Sequence, residues 1–209
     1  MDVIEQVKAT KIVPVVKIED ASKAVALADA LSEGGISCAE ITFRTAAAPE
    51  AIANIAKARP DFFVGAGTVI NAEQAAKALD AGAQFLVSPG FSPKVAEYAA
   101  KRNAVLLPGV CTPTEIMAAL EYGITYLKFF PADVYGGVKA MKALSAPFGG
   151  IKFMPTGGVN LQNVREILSA PFVFACGGSW LAPAKLIAAD DFAGITALCR
   201  EAMAAIADI

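Results

Sequence analysis

Residues 37–45 read Ser37-Cys38-Ala39-Glu40-Ile41-Thr42-Phe43-Arg44-Thr45. Taken as a strand, the run turns Ala39, Ile41 and Phe43 to one face, against helices, and Cys38, Glu40, Thr42 and Arg44 to the other. Runs of similar length recur at 11–16, 38–42, 62–66, 84–88, 105–107, 125–129, 151–154 and 172–176. Their starts lie 20 to 27 residues apart, enough for one strand and one helix in each interval. Between them, Ala24-Leu27-Ala28-Leu31, Ile52-Ile55-Ala56 and Ile116-Ala119-Leu120 carry helical spacing. Gly34, Gly82 and Gly123 stand where a helix end takes a left-handed residue. Strands that are apolar on both faces and alternate with helices predict a parallel sheet covered on both sides. The count of eight selects a TIM (β/α)8 barrel over an open doubly wound sheet. The expected fold class is therefore α/β, a barrel with an extra N-terminal helix over residues 2–8 and a closing amphipathic helix over 190–208. No composition shift or linker divides the chain, so residues 1–209 read as a single domain.

Composition narrows the function classes. Lys and Arg number 18 against 20 Asp and Glu, a net charge of −2, without the basic excess that nucleic-acid binding requires. Hydrophobic residues make up 56% and charged residues 18%, which excludes disorder and implies a large dry core. The absence of histidine excludes Ser-His-Asp and Cys-His nucleophile systems and His-ligated metal sites. Acid–base chemistry must run on Glu, Asp, Lys, Tyr, Cys or water. Cys38, Cys111, Cys176 and Cys199 form no C-x-x-C pair and read as reduced thiols of a cytoplasmic protein. The first eleven residues mix Asp2, Glu5 and Lys8 and lack the apolar block of a signal peptide. Residues 167–184 carry no charge, but Pro171, Gly177, Gly178 and Pro183 would break a membrane-spanning helix there. A soluble protein without membrane or nucleic-acid partners is expected.

In a barrel of this kind, chemistry gathers at the C-terminal ends of the strands. Glu40 and Arg44 fall on the interior face, where charges are costly unless paired or used. A buried Glu40–Arg44 ion pair is the plain structural alternative to a catalytic role. In Ile124-Thr125-Tyr126-Leu127-Lys128-Phe129-Phe130-Pro131, Lys128 shares a face with Tyr126 and Phe130. Burial disfavours an ammonium and favours the neutral amine, a nucleophile able to form a Schiff base with a ketone. The alternative is a lysine that snorkels out at the strand end. In Gly65-Ala66-Gly67-Thr68 the glycines allow close backbone approach, and Thr68 is expected to point inward with Val64 and Ala66. Pro155-Thr156-Gly157-Gly158, ahead of a helix expected near Asn160, and Gly177-Gly178-Ser179 form two glycine-rich loops that present N–H groups to a phosphate. An interior Lys, Glu and Arg beside a phosphate cradle describe imine chemistry on a phosphorylated keto-acid.

The motifs Ile12-Val13-Pro14-Val15-Val16, Glu40-Ile41-Thr42-Phe43-Arg44-Thr45, Gly65-Ala66-Gly67-Thr68-Val69, Ser88-Pro89-Gly90, Lys128-Phe129-Phe130-Pro131-Ala132, Pro155-Thr156-Gly157-Gly158-Val159 and Gly177-Gly178-Ser179-Trp180 run in order nearly end to end. Together they resemble the 2-keto-3-deoxy-6-phosphogluconate (KDPG) aldolases, a family that also covers 4-hydroxy-2-oxoglutarate (KHG) aldolase activity. The resemblance implies Lys128 as Schiff-base lysine and Glu40 as general acid/base. It implies Arg44 and Thr68 at the pyruvyl carboxylate with Thr156 beside them, Gly157, Gly158 and Ser179 on the phosphate, and Lys17 as an extra anion contact. It further implies a metal-free class I aldolase that needs no cofactor and assembles as a homotrimer. Three alternatives stay open: action on the galactonate epimer; a phosphosugar isomerase or epimerase using Glu40 as base without a covalent step; and a non-catalytic phosphometabolite-binding protein.

Overall fold

The structure is a computed structural model that describes residues 2–209; Met1 lies outside the described residues. Nine strands are described: β1 (Ile12–Val16), β2 (Cys38–Thr42), β3 (Phe63–Gly67), β4 (Phe85–Val87), β5 (Val105–Leu107), β6 (Gly109–Val110), β7 (Tyr126–Phe129), β8 (Lys152–Pro155) and β9 (Cys176–Gly178). The helices are α1 (Val3–Thr10), α2 (Ala24–Glu33), α3 (Ala48–Ala58), α4 (Ala72–Asp80), α5 (Pro93–Lys101), α6 (Pro113–Glu121), α7 (Gly137–Ser145), α8 (Val164–Leu168), α9 (Ala184–Ala188) and α10 (Phe192–Ala205). Every strand pairing is parallel, as the strand–helix alternation predicts. Six strands pair in the order β5-β4-β3-β2-β1-β9 and three in the order β6-β7-β8. Isolated parallel bridges Phe153↔Val173 and Thr156↔Gly177 join β8 to the segment that ends in β9. The fold is α/β, built on parallel sheet.

Local chemistry explains where the elements begin. Proline opens α5 and α6, where a missing N–H costs nothing because first-turn donors have no helical partner. Asn71 caps α4 by accepting the Gln74 N–H at 2.8 Å. Ala24, Leu27, Ala28 and Leu31 form one fully buried face of α2, and α10 packs on that helix, with Thr196 Oγ1 donating to the Ala30 carbonyl at 2.9 Å. No described helix is long and apolar enough to cross a membrane.

Several boundaries differ from expectation for identifiable reasons. The last strand is Cys176–Gly178 rather than 172–176, because β1 offers Ile12, Val13 and Pro14 as partners to Cys176, Gly177 and Gly178. Glycine has low strand propensity, so an apolar run ends too early there. Pro108 interrupts the fifth run, and β6 resumes beyond it. The first helix runs to Thr10, and the last covers Phe192–Ala205, capped by Asp191 accepting from Gly194. The helix expected near Asn160 starts only at Val164, since Asn160 and Asn163 bind backbone N–H groups of Gln162 and Asn160 and hold a turn. Gly82 and Gly123 have φ of 101° and 71°, as the reading requires. Gly34 does not: its φ is −78°, and Gly35 at 92° takes the left-handed position.

Candidate active site

Glu40 lies mid-way along β2, between Val15 of β1 and Gly65 of β3. Paired residues of parallel strands share a face, so Cys38, Glu40 and Thr42 stand with Phe63, Gly65 and Gly67. Val64 and Ala66 therefore belong to the opposite face, with Ala39 and Ile41, contrary to the expectation that grouped them with the inward residues. Thr42 Oγ1 donates to the Val16 carbonyl at 2.7 Å and ties β2 to β1 directly above Glu40. Lys128 occupies the middle strand of the three-stranded sheet, paired with Gly109 and Met154, and its N–H donates to the Pro108 carbonyl at 2.9 Å.

The two side chains meet between the sheets. Lys128 Nζ lies 3.3 Å from Glu40 Oε1 and 5.2 Å from the centre of the Phe130 ring. The residues are 5% and 0% exposed, so this lysine does not snorkel. The Glu40–Arg44 pair is absent: β2 ends at Thr42, the alternation stops there, and Arg44 lies exposed in the following turn. Glu40 Oε2 and Thr156 Oγ1 are buried and have no hydrogen-bond partner. Orphaned polar atoms are rare and costly in protein interiors.

Glycines make room for both. A Cβ on Gly67 would come closer than 3.0 Å to Glu40 Oε1, Cγ and Cδ, and one on Gly177 would overlap Thr156 Oγ1 in the same way. Glycine inside a strand signals such close approach. What the sequence leaves out is the identity of the group that approaches, which comes from another strand.

The remaining expected site residues border the same edge of the sheet, beyond the C-terminal ends of β1, β2, β3, β8 and β9. Thr68 follows β3, half-buried at φ 55°, a left-handed conformation that is strained for a β-branched residue. Gly157 and Gly158 follow β8 at φ of 98° and 72°, and Ser179 is exposed directly after β9. Lys17 is exposed after β1 and paired with Glu19 at 2.6 Å. Among the described residues, none of these makes a hydrogen bond or ion pair with Lys128 or Glu40, which bond to each other. Cys38 and Cys176, which open β2 and β9 at the opposite, N-terminal end of the sheet, are poor nucleophiles. Burial, with the Glu40 charge adding, pushes the Cys38 thiol up, and burial pushes Cys176 up to about 12.

The chain is 47% identical over 201 residues to the 2-dehydro-3-deoxy-phosphogluconate aldolase of Treponema pallidum (strain Nichols), covering 96% of each. Its structure is similar to KDPG aldolase from Legionella pneumophila, solved with pyruvate captured at low pH as a covalent carbinolamine intermediate. That match has a TM-score of 0.92, 38% identity, and 96% and 97% coverage of this chain and that one. The KDPG aldolase of Zymomonas mobilis ZM4, solved with 3-phosphoglycerate, matches at a TM-score of 0.90, 40% identity, and 96% and 94% coverage. The family model for KDPG and KHG aldolase matches residues 3–198, and the chain belongs to that family.

Proposed function

We propose that this chain is a class I aldolase that cleaves KDPG to pyruvate and glyceraldehyde 3-phosphate through a Schiff base on Lys128. The observation that carries the reading is the buried contact between Lys128 Nζ and Glu40 Oε1 at 3.3 Å. Transfer of a proton from Nζ to Glu40 frees the amine lone pair, which attacks the C2 ketone. Glu40 returns that proton to the carbinolamine hydroxyl, which leaves as water and gives an iminium that acts as electron sink, with Glu40 a carboxylate again. Glu40 then takes the C4 hydroxyl proton, directly or through a water. The C3–C4 bond breaks, glyceraldehyde 3-phosphate leaves, and its bonding electrons remain as an enamine. Protonation at C3 and hydrolysis of the iminium release pyruvate and restore the lysine. Arg44, Thr68 and Thr156 hold the carboxylate end, while Gly157, Gly158 and Ser179 take the phosphate, with Lys17 as a further cation nearby. Binding energy from that remote phosphate is spent on holding C2 against the amine.

The scaffold in this reading is a closed (β/α)8 barrel in a single domain, with α1 as an extra N-terminal helix. The two bridges from β8 to the β9 segment and the near-continuity of β5 and β6 support closure. Because the iminium supplies the electron sink, turnover needs no metal or cofactor. The enzyme works in the cytoplasm as a homotrimer. Sedimentation equilibrium is expected to return about three times the chain mass of 21.6 kDa, and a single-chain mass would remove the trimer.

Borohydride reduction in the presence of pyruvate tests the chemistry. One pyruvyl adduct per chain is expected, on the peptide bearing Lys128. Labelling at Lys17, Lys139 or Lys152 would move the site, and no labelling would favour a non-covalent isomerase or a binding protein. Steady-state cleavage of KDPG, its galactonate epimer and unphosphorylated KHG then ranks the substrates, with KDPG expected first.

A further inference from the structure

Gly67 is the last residue of β3, and its φ is outside the left-handed region, so an alanine would fit the backbone there. The Gly67 backbone is held in place: its carbonyl accepts the Phe43 N–H at 2.7 Å, and it pairs in register with Thr42. The obstacle to a side chain is therefore Glu40 alone among its nearest neighbours. A Cβ would meet Oε1, Cγ and Cδ at once. Turning the carboxylate about its last bond moves Oε1 but leaves the overlaps with Cγ and Cδ, so the whole side chain has to leave its present conformation. The same oxygen, Oε1, faces Lys128 Nζ. Gly65, two residues earlier on the same face, would instead strike the Phe85 ring.

From this geometry we infer that Gly67 is a positioning residue: its missing side chain seats the Glu40 carboxylate against Lys128 and so sets the proton-transfer distance of the reaction. The inference rests on the assignment of Glu40 as general acid/base, and the two fail separately in a double-mutant cycle.

The experiment compares the parent, Gly67→Ala, Glu40→Ala and the double variant, using kcat and KM for KDPG, the pH profile of kcat, and borohydride trapping with pyruvate. Positioned acid–base groups are worth roughly 10²- to 10⁴-fold. Gly67→Ala is expected to lose kcat in that range with KM changed less than about threefold by comparison, to lose the carboxylate limb of the pH profile, and to keep the trapped adduct on Lys128. In the Glu40→Ala background the obstructing side chain is gone, so adding Gly67→Ala is expected to change kcat less than about threefold. Parental turnover by Gly67→Ala, or an undiminished loss in the Glu40→Ala background, would overturn the positioning role. Parental turnover by Glu40→Ala would instead remove the acid/base assignment beneath it. Should Gly67→Ala fail to fold, the double variant decides: recovery of the folded state supports the shared-space relation, and continued unfolding refutes it.

Discussion

Lys128 and Glu40 stabilise each other only as a pair. Each charge has left water, and burying an ion costs several kcal/mol unless a partner offsets it. With Nζ and Oε1 at 3.3 Å and both residues buried, Lys128→Met leaves a carboxylate without its cation. Removing one partner of a buried pair costs about 3–5 kcal/mol, so urea unfolding at pH 7 is expected to show a loss of that order. Adding Glu40→Gln to Lys128→Met is expected to return most of it, because the remaining group is then neutral. A double variant no more stable than Lys128→Met would mean that the pair is not what holds the carboxylate. These two residues were legible in the sequence because strand alternation reports facing directly, and charges on an inward face stand out among apolar neighbours. The interior placement expected of Arg44 does not hold, because alternation is valid only while the strand lasts and β2 stops at Thr42, leaving Arg44 exposed. Thr68 shows the limit again, since its φ of 55° breaks the two-residue period immediately after β3.

Helix α6 displays how much of an element's start is local. Thr112 Oγ1 accepts the Glu115 N–H at 3.4 Å, while Glu115 Oε2 accepts the N–H groups of Thr112 at 3.0 Å and Cys111 at 2.8 Å. This reciprocal cap satisfies donors that the first turn cannot pair internally. Partial burial raises the Glu115 pKa and is the largest single influence, but the backbone and hydroxyl donors around it outweigh burial, leaving the carboxyl below its ordinary 4.5. A carboxyl depressed on folding stabilises the native state above its unfolded pKa, and that contribution fades as pH falls through the folded value. Glu115→Gln keeps an acceptor oxygen but loses the charge, so it is expected to cost about 0.3–1 kcal/mol at pH 7, and the gap from the parent is expected to narrow below pH 4.5. Urea titrations at pH 7 and below that value check it, and a gap independent of pH would show that the charge is not what caps the helix. Proline at the start of α5 and α6 marks such beginnings locally, where the apolar spacing that predicted helices does not reach. The end of β9 was harder, because Gly177 and Gly178 join the sheet through what β1 offers and not through any preference of their own.

Across the whole chain, the features that a sequence conceals are the contacts between distant segments, since periodicity tells which way a side chain faces but not what it meets. Gly34 is the clearest case. Its place after α2 resembles a helix end that needs a left-handed glycine, yet Gly35 supplies that conformation and Gly34 has φ −78°. The reason for glycine at 34 lies 165 residues away, where a Cβ would overlap the Cβ of Cys199 on α10 and crowd the carbonyl of Thr196 at 3.1 Å. Two effects then compete in Gly34→Ala. Replacing glycine where the backbone permits alanine stabilises by about 0.4–1 kcal/mol through the unfolded chain, whereas forcing a methyl into a packed seam costs about 1–3 kcal/mol. Overlap with a Cβ fixed to a helix backbone leaves little room to yield, so net destabilisation is expected. Gly35→Ala is expected to destabilise as well, but through its φ of 92°, its nearest side-chain atom being Met203 Cγ at 3.5 Å. The companion substitution Cys199→Gly separates the two causes. It removes the obstructing atom and is expected to relieve Gly34→Ala while leaving the loss in Gly35→Ala unchanged, whereas Cys199→Ala keeps its Cβ and relieves neither. Urea unfolding at one fixed protein concentration reads all of these. If Cys199→Gly failed to relieve Gly34→Ala, the close seating of α10 on the end of α2 would not be what demands glycine at that position.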